Sequence, residues 1–190
     1  RPLAASGTDG LARRFRQRQP LYATADVVVD ADQPVAAVVD ALALRQAEFT
    51  VQCRVRVPLG DRAYDVWVGQ GALDRCALQV ASLAPPMALV VVDQQVAAHW
   101  LSPLRRALER TGVRHDVHKL PVGEYSKTLG TVTGIWDALL QLGADRNVVV
   151  IALGGGVTGD LAGFAAATAL RGVRVVQLPT TVLAMVDASV

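Results

Sequence analysis

Apolar and polar residues alternate in two neighbouring stretches in the first half of the chain. Apolar side chains occupy every second position over residues 51–57 and again over 64–68. This period of two is typical of half-buried strands. Residues 59–62, which include Gly60, form a turn signal between the two stretches. The pattern therefore predicts a β-hairpin that begins near Phe49.

After residue 86 the pattern changes to apolar runs separated by segments with helical spacing. The apolar runs predict strands at 87–92, 113–120, 148–153 and 173–178. The spacing between them predicts helices at 101–112, 132–143 and 160–170. Uniformly apolar strands joined by helices form parallel sheets that are covered on both faces. We therefore expect an α/β fold: a Rossmann-like parallel sheet with helices on both faces and an N-terminal β-hairpin.

The first 48 residues have a separate pattern. A polar, arginine-rich helix is predicted over 9–19, followed by a short strand at 27–29 and a helix at 34–46. So short a segment cannot close a hydrophobic core alone. We therefore divide the chain into residues 1–48, the end of a larger domain, and residues 49–190. The chain begins at Arg1 rather than methionine, so we expect a start that is not native.

Composition is that of a globular protein, with 52% hydrophobic and 19% charged residues. The formal net charge of +2 gives no sign of a polyanionic partner, and we expect no nucleic acid. Residues 148–170 are apolar enough to suggest a membrane helix, but Asp160 and three glycines interrupt them, so we expect no membrane span. Cys53 and Cys76 lack metal or redox spacing, which favours reduced thiols in a cytoplasmic protein.

The strongest local signal is the glycine-rich run after the strand at 148–153. The spacing of Gly154, Gly156 and Gly159 fits a dinucleotide-binding pattern, in which glycines let a pyrophosphate approach the backbone. However, no acid lies about 20 residues further on, as it does in an ordinary Rossmann fingerprint. Asp160 also stands where a Walker motif has its lysine. Two interpretations remain open: a phosphate-binding turn, or a tight turn that packs a helix on a strand.

Polar residues follow the other predicted strands at their carboxyl ends, where open α/β sheets bind ligands. Asp93 ends the first strand, Glu124 and Lys127 follow the second, and Thr180 and Thr181 follow the last. Each of these residues could instead serve as an ordinary helix cap or turn residue. Because the carboxyl ends of parallel strands share one edge, we expect these clusters and the glycines to line one crevice.

The spacing of the histidines does not predict a metal site. His115 and His118 lie three apart in a predicted strand, so their side chains are expected on opposite faces, and we expect both at the surface. His99 has no neighbouring partner, and no cluster of Cys, His and carboxylate residues has ligand spacing. We therefore expect no metal ligands in this chain.

Four motifs occur in order over residues 49–190: Gly-Glu-Tyr-Ser-Lys-Thr at 123–128, the glycine-rich run 151–164, Ala-Thr and Leu-Arg-Gly at 167–172, and the run 177–190. Together they resemble the signature of 3-dehydroquinate synthases. One departure is Ala169, where the family usually has tyrosine. The resemblance implies a shikimate-pathway lyase that converts 3-deoxy-D-arabino-heptulosonate 7-phosphate to 3-dehydroquinate, with loss of phosphate, using NAD and a divalent metal (zinc or cobalt).

The resemblance also implies roles for individual residues at the NAD site. The positions that hold the adenosine and ribose are matched by Asp93, Glu124 and Lys127. The pyrophosphate and nicotinamide-ribose region is matched by Gly155, Gly156 and Asp160. The threonines that bond the cofactor are matched by Thr180 and Thr181.

On the substrate side, Asp187 matches an aspartate that faces both the substrate and the cofactor. Arg171 matches an arginine that reaches the sugar-phosphate substrate of the neighbouring subunit, which implies a homodimer. The family's metal ligands lie in a C-terminal helical domain beyond Val190, so the resemblance implies that this domain is missing. We therefore expect the chain to be inactive alone.

Three short matches occur within the first 30 residues. Residues 1–3, 18–22 and 26–30 resemble the lid, the shikimate-binding element and the last strand of shikimate kinases. The resemblance implies that Arg1 and Arg18 are remnants of a kinase site in a bifunctional shikimate kinase/3-dehydroquinate synthase. No phosphate-binding loop accompanies them, so we expect no kinase activity. A linker is the alternative for this segment.

Two other functions share the glycine-rich site. One is a metal-dependent polyol dehydrogenase of the glycerol type, which the region around Arg171 and the run from Thr180 to Asp187 fit poorly. The other is an NAD-binding module without catalytic activity.

Overall fold

The computed structural model describes residues 53–189. The predicted segment 1–48, with Arg1 and Arg18, lies outside these residues, and its assignment stays a prediction. The strands are β1 (Cys53–Val57), β2 (Tyr64–Val68), β3 (Ala88–Asp93), β4 (His115–Leu120), β5 (Val149–Gly154) and β6 (Arg174–Pro179). The α-helices are α1 (Ala72–Ser82), α2 (Ser102–Arg110), α3 (Leu129–Gln141) and α4 (Gly156–Thr168).

Strands β1 and β2 form the predicted antiparallel hairpin as a separate two-stranded sheet. Asp65 accepts hydrogen bonds from Arg54 at 2.7 Å and Arg56 at 3.2 Å, and these side chains link the two strands. The guanidinium of Arg75, on α1, lies 4.1 Å from the ring centre of Trp67, on β2. This cation–π contact connects the hairpin to α1.

The other four strands form one parallel sheet in the order β4-β3-β5-β6. Val90 of β3 is paired with Val117 of β4 on one side and with Ile151 of β5 on the other. The chain leaves β3 towards β4 and then returns across the sheet to β5. The order of strands therefore reverses between β3 and β5, as it does in doubly wound folds.

Helices cover both faces of this sheet, as the apolar strands predicted. Helices α1 and α2 pack on one face, where Leu104 and Leu108 share one buried core with Val90 and Ile151. Helices α3 and α4 pack on the other face around Val150. Strand β5 is buried throughout, and β3 is buried up to the half-buried Asp93 at its end, because both of their faces are covered.

Two histidines differ from the sequence-based expectation. His115 and His118 do lie on opposite faces of β4, but both are half-buried rather than at the surface. The His118 ring lies about 3.4 Å from the position that a Cβ on Gly134 of α3 would occupy. This burial lowers the pKa of His118 below its ordinary value. The expectation of surface histidines was wrong because α3 packs over the His118 face of this edge strand and Nε2 of His115 is buried.

The helix predicted at 101–112 begins earlier than its apolar spacing indicated. A helical turn, Gln94–Val96, starts directly after β3, and a π-helical turn, Ala97–Leu101, leads into α2. Helix α1, which no strong pattern predicted, fills the connection between the hairpin and β3. Among residues 53–189 we found no helix with the length and apolarity that a bilayer crossing requires.

Candidate functional site

The candidate site lies at the carboxyl edge of the parallel sheet, between β3 and β5. Asp93 ends β3, and Gly154 ends β5 beside it. The connections after these two strands diverge, because the chain leads from β3 to β4 and from β5 to β6. Such a reversal leaves a crevice outside the strand ends, which is where open α/β sheets bind ligands.

The glycine turn joins β5 to α4 at this edge. Gly155 is the N-cap residue of α4, with φ −77° and ψ −171°, and it has no side chain that could cap the helix. The amides of the first helical turn have no acceptor within the helix, so they are free to bind an anion. The positive end of the helix dipole adds to this preference.

Gly154 and Gly156 differ in why the structure has a glycine at each position. A Cβ on Gly154 would lie 2.5 Å from Thr158 Oγ1 and 2.6 Å from Thr158 Cβ, so packing alone requires a glycine there. A Cβ on Gly156 would meet nothing closer than Ala188 Cβ at 3.7 Å, an ordinary contact. The φ of Gly156 also lies outside the left-handed region. Gly154 therefore fits the tight-turn interpretation, whereas Gly156 leaves space above the helix end.

We expect Gly154→Ala to destabilise the protein by about 1–3 kcal/mol, because the methyl group would overlap the Cβ of Thr158, which cannot move without α4. Chemical denaturation of the two proteins would measure this difference in the free energy of unfolding. Gly156→Ala is the matched control and is expected to change stability far less. Equal effects of the two substitutions would contradict the packing explanation.

The segment after β6 folds over the glycine turn. The backbone N–H of Thr180 donates to the Gly154 carbonyl at 2.9 Å. A Cβ on Gly155 would lie 3.3 Å from Thr181 Cγ2, and Ala188 lies against Gly156. The predicted convergence of the glycines and the two threonines at one edge is therefore observed.

The two threonines differ in how their hydroxyls are used. Thr181 Oγ1 accepts a hydrogen bond from the Ala184 amide at 3.2 Å, which is the ordinary capping role that the sequence left open. Thr180 Oγ1 is buried and has no hydrogen-bond partner among the residues that the structure describes. Buried hydroxyls are nearly always hydrogen-bonded, so Thr180 Oγ1 is suited to a ligand.

An ion-pair cluster borders the same crevice. The Lys127 Nζ lies 2.7 Å from Asp160 Oδ2 and 3.0 Å from Glu124 Oε1. These hydrogen bonds, first to Asp160 and then to Glu124, raise the pKa of Lys127 above its ordinary value. The ammonium group therefore stays charged near neutral pH. The cluster connects the loop after β4 to the second turn of α4.

Asp93 serves as a helix cap and also faces the glycine turn. Its Oδ1 accepts hydrogen bonds from the amides of Gln95 and Val96, both at 2.9 Å. Its Oδ2 lies 3.5 Å from the hydroxyl of Thr158 in the first turn of α4. The sequence did not identify Thr158 as a site residue, although Thr158 lies within the glycine-rich run.

The two residues assigned to the substrate side lie at opposite ends of α4. Asp187 is exposed in the π-helical turn Ala184–Ala188, next to the residue that contacts Gly156. Arg171 is exposed beyond the far end of α4, a helix of 13 residues and so about 20 Å long. It follows Leu170 in a left-handed backbone (φ +69° and +50°). The structure therefore does not bring Arg171 to the glycine turn of its own chain.

A metal site does not form among the described residues. No group of three or more His, Cys, Asp or Glu side chains in residues 53–189 is placed to hold a metal ion. His115 Nδ1 lies 3.1 Å from the Val113 carbonyl.

Comparison with known proteins gives a consistent result. The 3-dehydroquinate synthase N-terminal family model matches residues 117–190. The 3-dehydroquinate synthases of Bradyrhizobium sp. and Bradyrhizobium diazoefficiens are 47% and 48% identical to this chain over 137 residues, which is 72% of this chain and 36% of each relative. This chain thus spans little more than a third of the length of these relatives.

Two solved structures resemble the described fold. A 2-deoxy-scyllo-inosose synthase complexed with carbaglucose-6-phosphate, NAD⁺ and Co²⁺ has a TM-score of 0.66 and 26% identity, covering 72% of this chain and 38% of that one. A 2-epi-5-epi-valiolone synthase from Streptomyces hygroscopicus subsp. jinggangensis, with NAD⁺ and Zn²⁺ bound, has a TM-score of 0.52 and 32% identity, covering 55% of this chain and 30% of that one.

The fold and its carboxyl-edge site therefore define a doubly wound α/β domain of the kind found in sugar phosphate cyclases. Within that class, the comparisons support the 3-dehydroquinate synthase family, whose N-terminal domain matches residues 117–190.

Proposed function

We propose that this chain supplies the NAD-binding part of a 3-dehydroquinate synthase, which converts 3-deoxy-D-arabino-heptulosonate 7-phosphate to 3-dehydroquinate with loss of phosphate. The observation that carries the proposal is the glycine turn at the switch point, where Gly156 leaves room above the first amides of α4. Relatives that are nearly half identical over 137 residues bear the name of this enzyme.

The residues at the carboxyl edge fit a dinucleotide. The free amides of α4 suit a pyrophosphate, and the unpartnered Thr180 Oγ1 lacks only a ligand atom to bond. Both solved neighbours are named as NAD⁺ complexes. The chemistry that a bound NAD would supply is reversible hydride transfer with the substrate. The residues that would hold it are Asp93, Glu124, Lys127, Gly155, Gly156, Asp160, Thr180 and Thr181.

The chain's own residues orient the cofactor rather than react. Asp93 offers a carboxylate that is held at the crevice by two backbone amides. Lys127 is fixed between two carboxylates, so its side chain loses little further freedom when a ligand arrives. Asp187 presents a carboxylate beside the glycine turn, where it would contact the substrate.

The proposed enzyme also uses a divalent metal, as the names of the solved neighbours with Co²⁺ and Zn²⁺ suggest. Residues 53–189 do not fit such a group, because no cluster of three ligating side chains occurs among them. We therefore assign the metal, zinc or cobalt, to the part of the complete enzyme beyond Val190.

Arg171 is proposed to act in a neighbouring subunit. The length of α4 separates it by about 20 Å from the glycine turn of its own chain. Its exposed side chain forms no ion pair with any residue from 53 to 189. A homodimer in which Arg171 binds the phosphate of the partner's substrate accounts for both facts, since guanidinium groups bind phosphate well.

The proposal is tested by Gly156→Val in the full-length enzyme. We expect the valine side chain to occupy the space above the helix end and to lower the affinity for NAD by at least about tenfold, a change of about 1.4 kcal/mol. Calorimetric titration with NAD measures this change. Gly163→Val is the matched control, because a Cβ on Gly163 would also meet its nearest neighbour at 3.7 Å, but further along α4. Unchanged affinity in a folded Gly156→Val protein would refute the placement.

A further inference from the structure

We propose that the hydroxyl of Thr158 is a positioning group for the carboxylate of Asp93. It holds Asp93 in the orientation in which the carboxylate accepts hydrogen bonds from the hydroxyls of the bound dinucleotide. This inference rests on the proposed NAD site and adds to it a side chain that acts through Asp93 rather than by contact with the cofactor or the substrate.

The burial of Thr158 calls for an explanation. Thr158 is only 1% exposed. Among the described residues, Ser126 is the other buried polar residue. The Ser126 hydroxyl is satisfied locally by the Gly123 carbonyl at 2.6 Å. The Thr158 hydroxyl instead lies near Asp93 Oδ2, 65 positions away in the chain. Because burying a hydroxyl costs free energy, a valine of the same shape would be expected here unless the hydroxyl had a use.

The two oxygens of Asp93 have separate partners. Oδ1 is held by two backbone amides, Gln95 and Val96, so the position of this atom is fixed by the helix that it caps. The terminal torsion of an aspartate is broad, so contacts to one oxygen leave the plane of the carboxylate free to turn. The Thr158 hydroxyl lies 3.5 Å from Oδ2 and supplies the second point of attachment.

This arrangement leaves acceptor capacity for a ligand. A carboxylate has about four lone-pair positions, of which Asp93 uses two on Oδ1, while the Thr158 hydroxyl makes a long contact of 3.5 Å with Oδ2. Oδ2, the oxygen that faces the glycine turn, therefore keeps acceptor capacity for a ligand. Thr158 therefore connects the strand end of β3 to the start of α4 across the crevice that the dinucleotide would occupy.

The test is the substitution Thr158→Val in the full chain, with Thr158→Ser as the conservative variant. The titrants are NAD and an NAD analogue that lacks one hydroxyl of the adenosine ribose. We expect valine to weaken NAD binding about tenfold, as for loss of a hydrogen bond to a charged group, and serine to restore most of the affinity. The analogue should bind wild type more weakly than NAD does, and the valine variant should discriminate less between the two.

A merely structural role for Thr158 would give a different result, because it would weaken both titrants by the same factor and leave the discrimination unchanged. That outcome, or equal NAD affinity of wild type and Thr158→Val, would overturn the inference. In an Asp93→Ala background, which removes both carboxylate oxygens, the inference requires Thr158→Val to have no further effect. Absence of NAD binding by the wild-type protein would instead overturn the proposed function, so the two failures are distinguishable.

Discussion

Replacing Arg171 with alanine in the complete synthase is expected to lower kcat/KM for phosphate release roughly 100- to 1,000-fold, the usual cost of losing one charge-stabilising donor. The dissociation constant for NAD should not change, because Arg171 lies at the opposite end of α4 from the glycine turn. A phosphate-release assay and an NAD titration on the same protein measure the two quantities. A parallel loss of NAD affinity would contradict the assignment.

Mixed dimers show which subunit Arg171 serves. Arg171→Ala and Asp187→Asn subunits are each expected to be inactive as homodimers. If Arg171 acts on the partner's substrate, a mixed dimer has one site with both residues intact, so an equal mixture recovers about a quarter of wild-type activity. If Arg171 acts within its own subunit, no intact site forms and the mixture stays inactive. Lack of recovery in verified mixed dimers would therefore refute action across subunits.

The second large effect concerns the metal. We expect a protein consisting only of these 190 residues to release no phosphate from its substrate in the presence of NAD and zinc. Residues 53–189 offer no cluster of ligands for the ion. Without the ion the substrate is not polarised, and the transition state loses several kcal/mol of stabilisation. A loss of about 4 kcal/mol lowers the rate on the order of a thousandfold. Phosphate release by the purified chain is the measurement.

Its control is the complete synthase under identical conditions. Addition of a chelator should abolish the activity of the complete enzyme and leave the short chain at the background rate. Turnover by the short chain close to that of the complete enzyme would show that the metal ligands lie within these residues. The division of roles proposed above would then be wrong.

The sheet could be predicted from the sequence because its central strands are apolar on both faces. Strands β3 and β5 begin and end within a residue or two of the predicted runs. Helix α1 was missed because its buried residues, Cys76, Ala77 and Val80, are small and its larger Leu78 is exposed. Helical spacing is hard to detect when the apolar stripe is built from small side chains.

The candidate site was only partly predictable. Its location at the carboxyl edge followed from strand order, and the glycines, Thr180 and Asp93 do meet there. The contact between Asp93 and Thr158 could not be predicted, because it depends on how α4 lies against β3. The left-handed backbone at Leu170 and Arg171 was also beyond sequence reasoning, since neither residue type favours that conformation.

The overlap between Gly154 and Thr158 determines how the two positions can diverge during evolution. Any side chain at position 154 begins with a Cβ, which would lie 2.6 Å from the Cβ that every residue but glycine has at position 158. Glycine at 158 would weaken the helix by about 1 kcal/mol relative to alanine. Packing against position 154 requires only that Cβ at 158, whereas the contact with Asp93 also uses the hydroxyl. Across a lineage, position 154 should therefore stay glycine, while position 158 should exchange chiefly between threonine and serine.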